Sequence, residues 1–355
     1  MDLGERKLQV LAAIVEGYIT TGEPVGSRAV QEALDKVVSS ATIRNDMAEL
    51  SELGLLEQPH ASAGRVPSLA GYRLYIDKLL SPKPLSKEDR KAIDAMFTGP
   101  VDDPQRMLKT ASQALAQMTQ LVAMSTSPSA DLAKVMHCEV IPVGRGNAAI
   151  VLLTSGGIMK SRLIRTAFDL TPEMREVFAR VADAEIKGRP LCDVTMPFIQ
   201  TVAAQLGEYG LLLTPLLIGL YEAAQEASEA SIAMDGQANL LILPEYVGLR
   251  AHALMEYLAG GNHLARLLLN HHGGVHVVLG GESSQPALDG SSVVMTRYNI
   301  GSREGGALGV IGPTRMNYAK IIPSLEYFAV QLGRLLSEAW GDPLEDNKNY
   351  KNDIR

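Results

Sequence analysis

Strand-forming sequence occurs in two blocks that lie far apart along the chain. The first, residues 134–168, contains VMHCEVIPV, AAIVLLT and IMKSRLIRT, and the second, residues 274–312, contains GVHVVLGG, SSVVMTRYNI and GALGVIG. Short β-branched runs bounded by glycine-containing turns are typical of antiparallel strands. Because a sheet of so few strands is rarely stable alone, we expect the two blocks to pair as one sheet that a long insertion interrupts.

Helical sequence fills the interval between the blocks. Thr171 is a candidate N-cap for PEMREVFARVADAEIKG, and the run GLLLTPLLIGL (Gly210–Leu220) is too apolar for a free surface. Such a helix is either buried in a core or forms the seam of a homodimer, and the residues leave both open. The predicted segments are a linker with connecting helices at 81–133, a sheet domain at 134–170 and 263–355, and an inserted domain at 171–262.

The first 80 residues predict three short helices and a hairpin. Apolar residues at helical spacing, closed by Gly22, indicate the first helix, and Ser27 is a candidate cap for the second. Ser39 or Ser40 caps a third helix, which ends before Gly54. The segments LLEQPH, ASAG and RVP then predict a strand, a loop tip and a returning strand.

Three helices and a hairpin are typical of a winged helix-turn-helix, whose third helix enters the major groove. Arg44 and Asn45 fall on the outer face of that helix and are expected to read bases. Arg65, beside Gly64 at the hairpin tip, and Arg73, on the next helix, are expected to hold phosphates. The candidate DNA-binding residues are Ser39, Ser40, Thr42, Arg44, Asn45, His60, Arg65 and Arg73. The same module can also serve protein contacts alone.

The charge balance limits the kind of nucleic-acid binding. The net charge is -7, which argues against indiscriminate coating of nucleic acid but not against site-specific binding. No apolar run approaches membrane length and the N-terminus lacks the apolar core of a signal peptide, so we expect a cytoplasmic protein without membrane contact. Cys138 and Cys192 are far apart in sequence, and both are expected to be buried thiols.

Motifs for catalysis are missing from the sequence. GxSxG, GxxxxGK and HExxH do not occur, and GSREGGALG lacks the strand-to-helix setting of a dinucleotide site, so we expect neither an enzyme nor a bound cofactor. His271, His272 and His276 form a cluster, but the next carboxylate in sequence is Glu282. Ordinary surface or packed histidines are therefore favoured over a metal site.

Two long motifs resemble one known family. SSATIRNDMAELSELGLLEQPHASAGRVPSLAGYRLYID (residues 39–77) is similar to the N-terminal signature of the HrcA family, the bacterial heat-inducible transcription repressors. GALGVIGPTRMNYAKIIPSLEY (Gly306–Tyr327) resembles the C-terminal signature of the same family. Two separate matches in the right order make a chance resemblance improbable.

The resemblance implies an α+β fold and a function. Its N-terminal winged helix-turn-helix (residues 1–80) would precede a GAF-like antiparallel sheet domain, which is split by an inserted, largely helical dimerisation domain. The protein would be a homodimeric repressor that binds an inverted-repeat operator in double-stranded DNA upstream of chaperone operons, with activity dependent on the GroEL chaperonin. Two other interpretations stay open: a one-component regulator that responds to a small ligand in the GAF-like sheet, and an enzyme or structural dimer with a vestigial winged helix.

Overall fold

Three helices and a two-stranded hairpin form the N-terminal part of the computed structural model, which describes residues 3–35, 38–97, 104–128, 133–155 and 158–340. The elements are α1 (Glu5–Thr21), α2 (Ser27–Ala33), α3 (Ser40–Glu52), β1 (Leu56–Glu57), β2 (Val66–Pro67) and α4 (Leu69–Leu74), which a π-helical turn (Tyr75–Leu79) continues. Their type and order confirm the predicted helices and hairpin. Residues 3–79 are called the head below.

Local signals set the ends of these helices. Ser39 Oγ accepts a 3.2 Å hydrogen bond from the backbone N–H of Thr42 and so caps α3, as predicted. Gly22 and Gly54, each with φ of 72°, follow α1 and α3 in the left-handed conformation that glycine adopts without steric cost. The Ser68 hydroxyl donates to the carbonyl of Gly54 at 2.6 Å, which ties the start of α4 to the end of α3.

The core of the head is apolar and contains one ion pair. Its fully buried side chains include Leu11, Ile14, Val30, Ile43 and Leu50. Asp46 lies on the same side of α3, only 1% exposed, and accepts hydrogen bonds of 2.8 and 2.9 Å from the Arg6 guanidinium. A buried carboxylate without a partner would be costly, so this bidentate pair fixes α3 against α1.

A five-stranded antiparallel sheet, called the main sheet below, forms the centre of the molecule. Its strands are β3 (Val122–Thr126), β7 (Ile232–Asp235), β8 (His276–Leu279), β9 (Ser291–Ile300) and β10 (Arg303–Pro313), in the order β7-β3-β10-β9-β8. Helices cover both of its faces, so the central strands are buried on both sides. The fold is therefore α+β, with helices packed on antiparallel sheet.

The two faces of the main sheet have separate apolar layers. On one face, Ala123, Val294 and Val310 pack with α13 (Tyr318–Trp340) and α6 (Pro104–Thr119), the latter preceded by α5 (Lys87–Met96). On the other face, Met124, Val293 and Ile311 pack with residues of the helices α10 (Gln237–Leu240), α11 (Leu249–Ala259) and α12 (Gly261–Leu269).

A second, three-stranded sheet lies in the part of the chain between β3 and β7. Its strands are β4 (Val135–Gly144), β5 (Asn147–Thr154) and β6 (Met159–Arg165), and its helices are α7 (Pro172–Val181), α8 (Met196–Gln205) and α9 (Glu208–Ser228). One sheet face packs on α9 and encloses an apolar core that includes Ile150 and Leu152. We call residues 133–228 the inserted unit.

The prediction that the two strand blocks pair as one sheet is wrong. Strands β4 to β6 pair only with each other, whereas β8 to β10 gain their partners from Val122–Thr126 and Ile232–Asp235. The first block can stand as its own sheet because α9 covers one of its faces. Strand β3 was missed, since all five of its residues are buried and the run VAMST has no polar alternation.

This pairing changes the packing of two predicted segments. Residues 135–165, predicted to belong to the sheet domain, contribute their buried side chains to the core of the inserted unit. Residues 249–259, predicted to belong to the insertion, pack against the main sheet. Residues 129–132 and 341–355 of the predicted segments lie outside the described residues.

The apolar run Gly210–Leu220 is mostly a core helix. Leu213, Leu216, Leu217 and Leu220 are 0% exposed within this one chain, so they cannot be the surface of a dimer seam. Leu211, by contrast, is 89% exposed. Among the described residues, no helix is long and apolar enough to cross a membrane.

The two cysteines differ in their surroundings. Cys138 is buried, as predicted, and burial raises the pKa of its thiol to about 12, so it stays neutral at physiological pH. Cys192 is exposed, which corrects the prediction of a second buried thiol. It lies in a short turn between α7 and α8 and not on a packed face.

Truncation of Leu217 should destabilise the inserted unit. Leu217→Ala leaves a cavity in the core of the inserted unit, and we expect the free energy of opening in peptides covering α9 to fall by about 2–5 kcal/mol in hydrogen exchange. The matched control Leu211→Ala, on the exposed side of the same helix, should change it by less than about 0.5 kcal/mol. Equal effects of the two substitutions would contradict this description of α9.

Candidate nucleic-acid interface

The outer face of α3 is open to solvent along its N-terminal half. Arg44 and Asn45 are exposed, whereas Ile43 and Met47 on the inner side are buried. This confirms the predicted division of the helix into an inner apolar and an outer polar face. The head core therefore holds α3 rigidly while its outer side chains stay free to contact a partner.

Hydroxyl groups gather where the N-termini of α2 and α3 meet. Ser27 Oγ lies 3.1 Å from Ser40 Oγ and accepts a 3.3 Å hydrogen bond from Arg44 Nε. Ser39 Oγ lies 2.9 Å from the Thr42 hydroxyl. The structure thus brings four of the predicted site residues, Ser39, Ser40, Thr42 and Arg44, into one cluster.

Two residues of this region were missed by the sequence analysis. Ser27 does not cap α2, whose N-cap is Gly26, and it bridges to α3 instead. Arg28 is exposed on the first turn of α2 and has no hydrogen-bond or ion-pair partner among the described residues. The contact of Ser27 with Ser40 was not visible in sequence, since 13 positions separate the two residues.

The hairpin presents His60 at its tip. Strands β1 and β2 pair through Leu56 with Pro67 and Glu57 with Val66, and the loop between them is closed by a 2.9 Å hydrogen bond from Gln58 Nε2 to the carbonyl of Ala61. His60 is exposed in this loop. It lies in the hairpin loop, next to the segment ASAG that was predicted to form the loop tip.

Arg65 does not lie at the tip, which corrects that prediction. Its backbone N–H and C=O both pair with Val25, at 2.9 Å each, and its Nε donates to Ser51 Oγ at 3.0 Å. The side chain is half-buried against the end of α3. Gly64 permits this approach, since a Cβ there would lie 2.4 Å from the Val25 carbonyl oxygen. The long-range pairing with Val25 has no local sequence signal.

Arg73 is bound to the main-sheet side of the molecule. Its Nε donates to Glu282 Oε1 at 2.9 Å, and Nη2 donates to the Val277 carbonyl at 3.0 Å and pairs with the second Glu282 oxygen. Nη1 lies 3.4 Å from Asp77. Hydrogen bonding from Arg73 holds the pKa of Glu282 below its usual value. In this conformation Arg73 is therefore not free to hold a phosphate.

The electrostatics of the head differ between the two ends of α3. Near its C-terminal half, Lys7 pairs with Glu49, and Arg6 pairs with Asp46. At the N-terminal end, Arg28 and Arg44 have no acidic partner among the described residues, and the helix dipole adds positive potential there. This end of the head suits an anionic partner such as a phosphate backbone.

His272 and His276 of the histidine cluster form hydrogen bonds with other protein atoms. Among the described residues, no group of three or more His, Cys, Asp or Glu side chains is placed to hold a metal ion. His272 Nδ1 lies 2.7 Å from Glu304 Oε2, and the rings of His271 and His276 are 5.0 Å apart. Burial and the neighbouring histidines lower the pKa of His271, which favours its neutral form.

Comparison with known proteins identifies the family. The family described as HrcA protein C terminal domain matches residues 105–322. The heat-inducible transcription repressor HrcA of Desulforudis audaxviator is 33% identical over 344 residues, which cover 96% of this chain and 100% of that protein. The protein of the same name from Thermobifida fusca is 37% identical over 338 residues, covering 94% of this chain and 97% of that protein.

A solved structure has the same fold over nearly the whole chain. It is a crystal structure of a hypothetical protein at 2.2 Å resolution, with a TM-score of 0.62 and 26% sequence identity, covering 95% of this chain and 100% of that one. The sequence matches and the shared fold each extend over nearly the whole chain, on both sides of the inserted unit. The chain therefore belongs to the HrcA family of heat-inducible transcription repressors, which are regulators and not enzymes.

Proposed function

We propose that this protein represses chaperone operons as a homodimer, binding an inverted-repeat operator with two winged helices and depending on the GroEL chaperonin for its active form. The observation that carries the proposal is the outer face of α3, where Arg44 and Asn45 are exposed on a helix whose inner face is fixed by the head core. A rigid helix with free side chains at its N-terminal end is what major-groove reading requires.

The side chains of this face divide into two kinds of contact. Arg44 and Asn45 are positioned to reach base edges, since Arg pairs with guanine and Asn with adenine in the major groove. Ser39, Ser40, Thr42 and Arg28 surround them and suit phosphate oxygens, and His60 suits the backbone beside the hairpin. Phosphate contacts set register and affinity, while base contacts set sequence preference.

An open apolar sheet face supports the homodimer. The face of β4, β5 and β6 opposite α9 exposes six large apolar side chains: Ile141 (42%), Val143 (55%), Leu153 (38%), Met159 (67%), Leu163 (66%) and, near its edge, Met136 (51%). The register puts Ile141 beside Ala149 and Ala149 beside Leu163, so these form a continuous strip. A large exposed apolar patch marks an interaction site, and a two-fold dimer matches an inverted repeat.

The topology supports dependence on a chaperonin. Strand β10 must pair with β3, which lies on the far side of the inserted unit in sequence, before the main sheet is complete. Such non-local pairing folds slowly and leaves apolar sheet faces and unpaired edges exposed during folding. When heat occupies the chaperonin with other clients, new repressor would stay inactive and the operons would be expressed.

The main sheet is proposed to be the GAF-like domain. The interpretation of the protein as a regulator that responds to a small ligand in this sheet has less support, since the family match is to heat-inducible repressors along both halves of the chain. Its site of action would be the cytoplasm, where the chromosome is accessible to it.

Arg44 and Arg28 should differ in their effect on DNA binding. Arg44→Ala should lower the binding free-energy preference for the operator over a scrambled duplex by about 1–3 kcal/mol, because a bidentate base contact is lost. Arg28→Ala should weaken binding to both duplexes alike and reduce the slope of log affinity against log salt concentration by about 1. Fluorescence anisotropy at several salt concentrations measures both quantities.

Arg175→Ala, on the exposed side of α7 in the inserted unit, serves as the matched control and should change the affinity for neither duplex. An unchanged operator preference in Arg44→Ala would show that α3 is not the reading helix.

The open sheet face should control dimerisation. Leu163→Glu places a charge on β6, at one end of the apolar strip, and light scattering should then show a monomer with weak operator binding, since each head alone reads few bases. Leu211→Glu, on the exposed side of α9, is the control and should remain dimeric. If Leu163→Glu stays dimeric, or if Leu211→Glu is the variant that dissociates, the seam lies elsewhere.

Refolding should depend on the chaperonin. Denatured chain diluted alone should give a low yield of operator-binding protein, because the β3–β10 pairing is slow, whereas GroEL with its co-chaperonin and ATP should raise the yield several-fold. Omission of ATP is the control. Equal yields with and without the chaperonin would remove folding assistance from the mechanism.

A further inference from the structure

Two side-chain contacts join the head to the main-sheet side of the molecule, and the first is an ion pair across the junction. The first is the bidentate pair of Arg73 on α4 with Glu282, which lies in the turn after β8. Beside it, Leu69 at the start of α4 packs on Gly281, where an added Cβ would lie 2.8 Å from a Leu69 methyl carbon. The glycine thus lets α4 approach this turn closely.

The second contact lies at the other end of the head. The Arg315 guanidinium, paired with Glu245, lies against Gly22 at the end of α1, within 3.5 Å of the position that a Cβ would take there. Tyr72 is only 4% exposed, and its hydroxyl has no hydrogen-bond partner in the described part of the chain. Arg315, Glu245 and Tyr318 are among its electrostatic neighbours, so it lies close to this contact.

Buried apolar side chains of the head, such as Tyr72, and of the main-sheet side, such as Tyr318, belong to one continuous cluster. The Arg73–Glu282 pair differs from this core because it is partly solvated, with side chains 29% and 35% exposed. A solvated ion pair contributes little to stability, so an external anion can compete for it.

Through Nε and Nη2, Arg73 can bind one bidentate anionic partner at a time, while Nη1 lies near Asp77. The Nε and Nη2 groups that grip Glu282 are those that a guanidinium uses for bidentate binding of a phosphate. Arg73 also lies one turn into the helix that follows the hairpin, on the same head as the α3 reading face. A DNA phosphate and Glu282 would therefore compete for one side chain.

We propose that the Arg73–Glu282 pair is a latch that holds the head in a docked state of low operator affinity, and that operator phosphate displaces Glu282 when the head is released. The inference rests on the proposed DNA binding and adds an internal competitor to it. Since coupling between two equilibria is reciprocal, anything that stabilises the docked head weakens operator binding, and operator binding loosens the docked head.

Removal of the carboxylate charge tests the latch on DNA. Glu282→Gln keeps the shape of the side chain and should raise operator affinity by about 5- to 20-fold, in the lower range for coupled sites. Arg73→Ala removes both the latch and the phosphate contact, so its operator affinity should stay below that of Glu282→Gln, and Glu282→Gln should have no further effect in the Arg73→Ala background. Glu338→Gln, whose partner Arg334 lies on its own helix, is the matched control and should leave affinity unchanged.

A covalent lock tests the same point independently. Leu69→Cys with Gly281→Cys, in a Cys192→Ser background, should form a disulfide across the junction, because these positions are in contact. The oxidised protein should lose most of its operator affinity and regain it on reduction. Undiminished operator binding by the oxidised form, or an affinity unchanged in Glu282→Gln, would overturn the latch.

Hydrogen exchange separates a failure of the latch from a failure of the proposed function. Without DNA, Glu282→Gln should increase exchange in peptides covering residues 69–79 and 276–283, while Glu338→Gln should not. If these peptides open and yet no variant prefers any operator, the latch stands and the DNA-binding proposal fails. If exchange in Glu282→Gln equals that of the parent, the latch itself is wrong.

Discussion

The pairing of β3 with its two neighbours determines the architecture of the whole chain. Strand β3 pairs with β10 on one side and with β7 on the other, and all five of its residues are buried. The register of β3 and β7 places Thr126 opposite Ile232, so the chain leaves and re-enters the main sheet at one point. Backbone bonds extend this stem, with the Ser127 N–H donating to the Ser231 carbonyl at 2.8 Å.

This stem explains how a unit as large as residues 133–228 can interrupt a sheet without disrupting it. Because its two ends are held side by side, the inserted unit needs only to bring its own termini together, and the entropy cost of closing the loop grows slowly with its length. The unit has its own core, which includes Phe178, Leu216 and Val140. Its open sheet face is then directed away from its own core.

Features that depend on neighbouring residues could be predicted from the sequence, whereas features that join distant segments could not. The head was predictable because its signals are local: Ser39 caps the helix that follows it, and Gly54 ends that helix. The main sheet was not, because β3 carries no alternation and its partners lie across the inserted unit. The candidate site divides in the same way, since the outward position of Arg44 follows from helical period, whereas the bonds of Arg65 to Val25 and of Arg73 to Glu282 join distant segments.

The distribution of charges in the head explains how an acidic chain can bind DNA. With a net charge of -7 the protein gains little from long-range steering, so under the proposed function operator affinity would come from the local field at the end of α3. Arg6 and Lys7 neutralise Asp46 and Glu49, two of the three acids of α3, in the part of the helix that lies away from its N-terminus. Arg28 and Arg44 remain beside the positive end of the helix dipole. Because so small a positive surface would engage few phosphates, in the proposed homodimer discrimination between operator and other DNA would rest on the base contacts of α3 and on the presence of two heads.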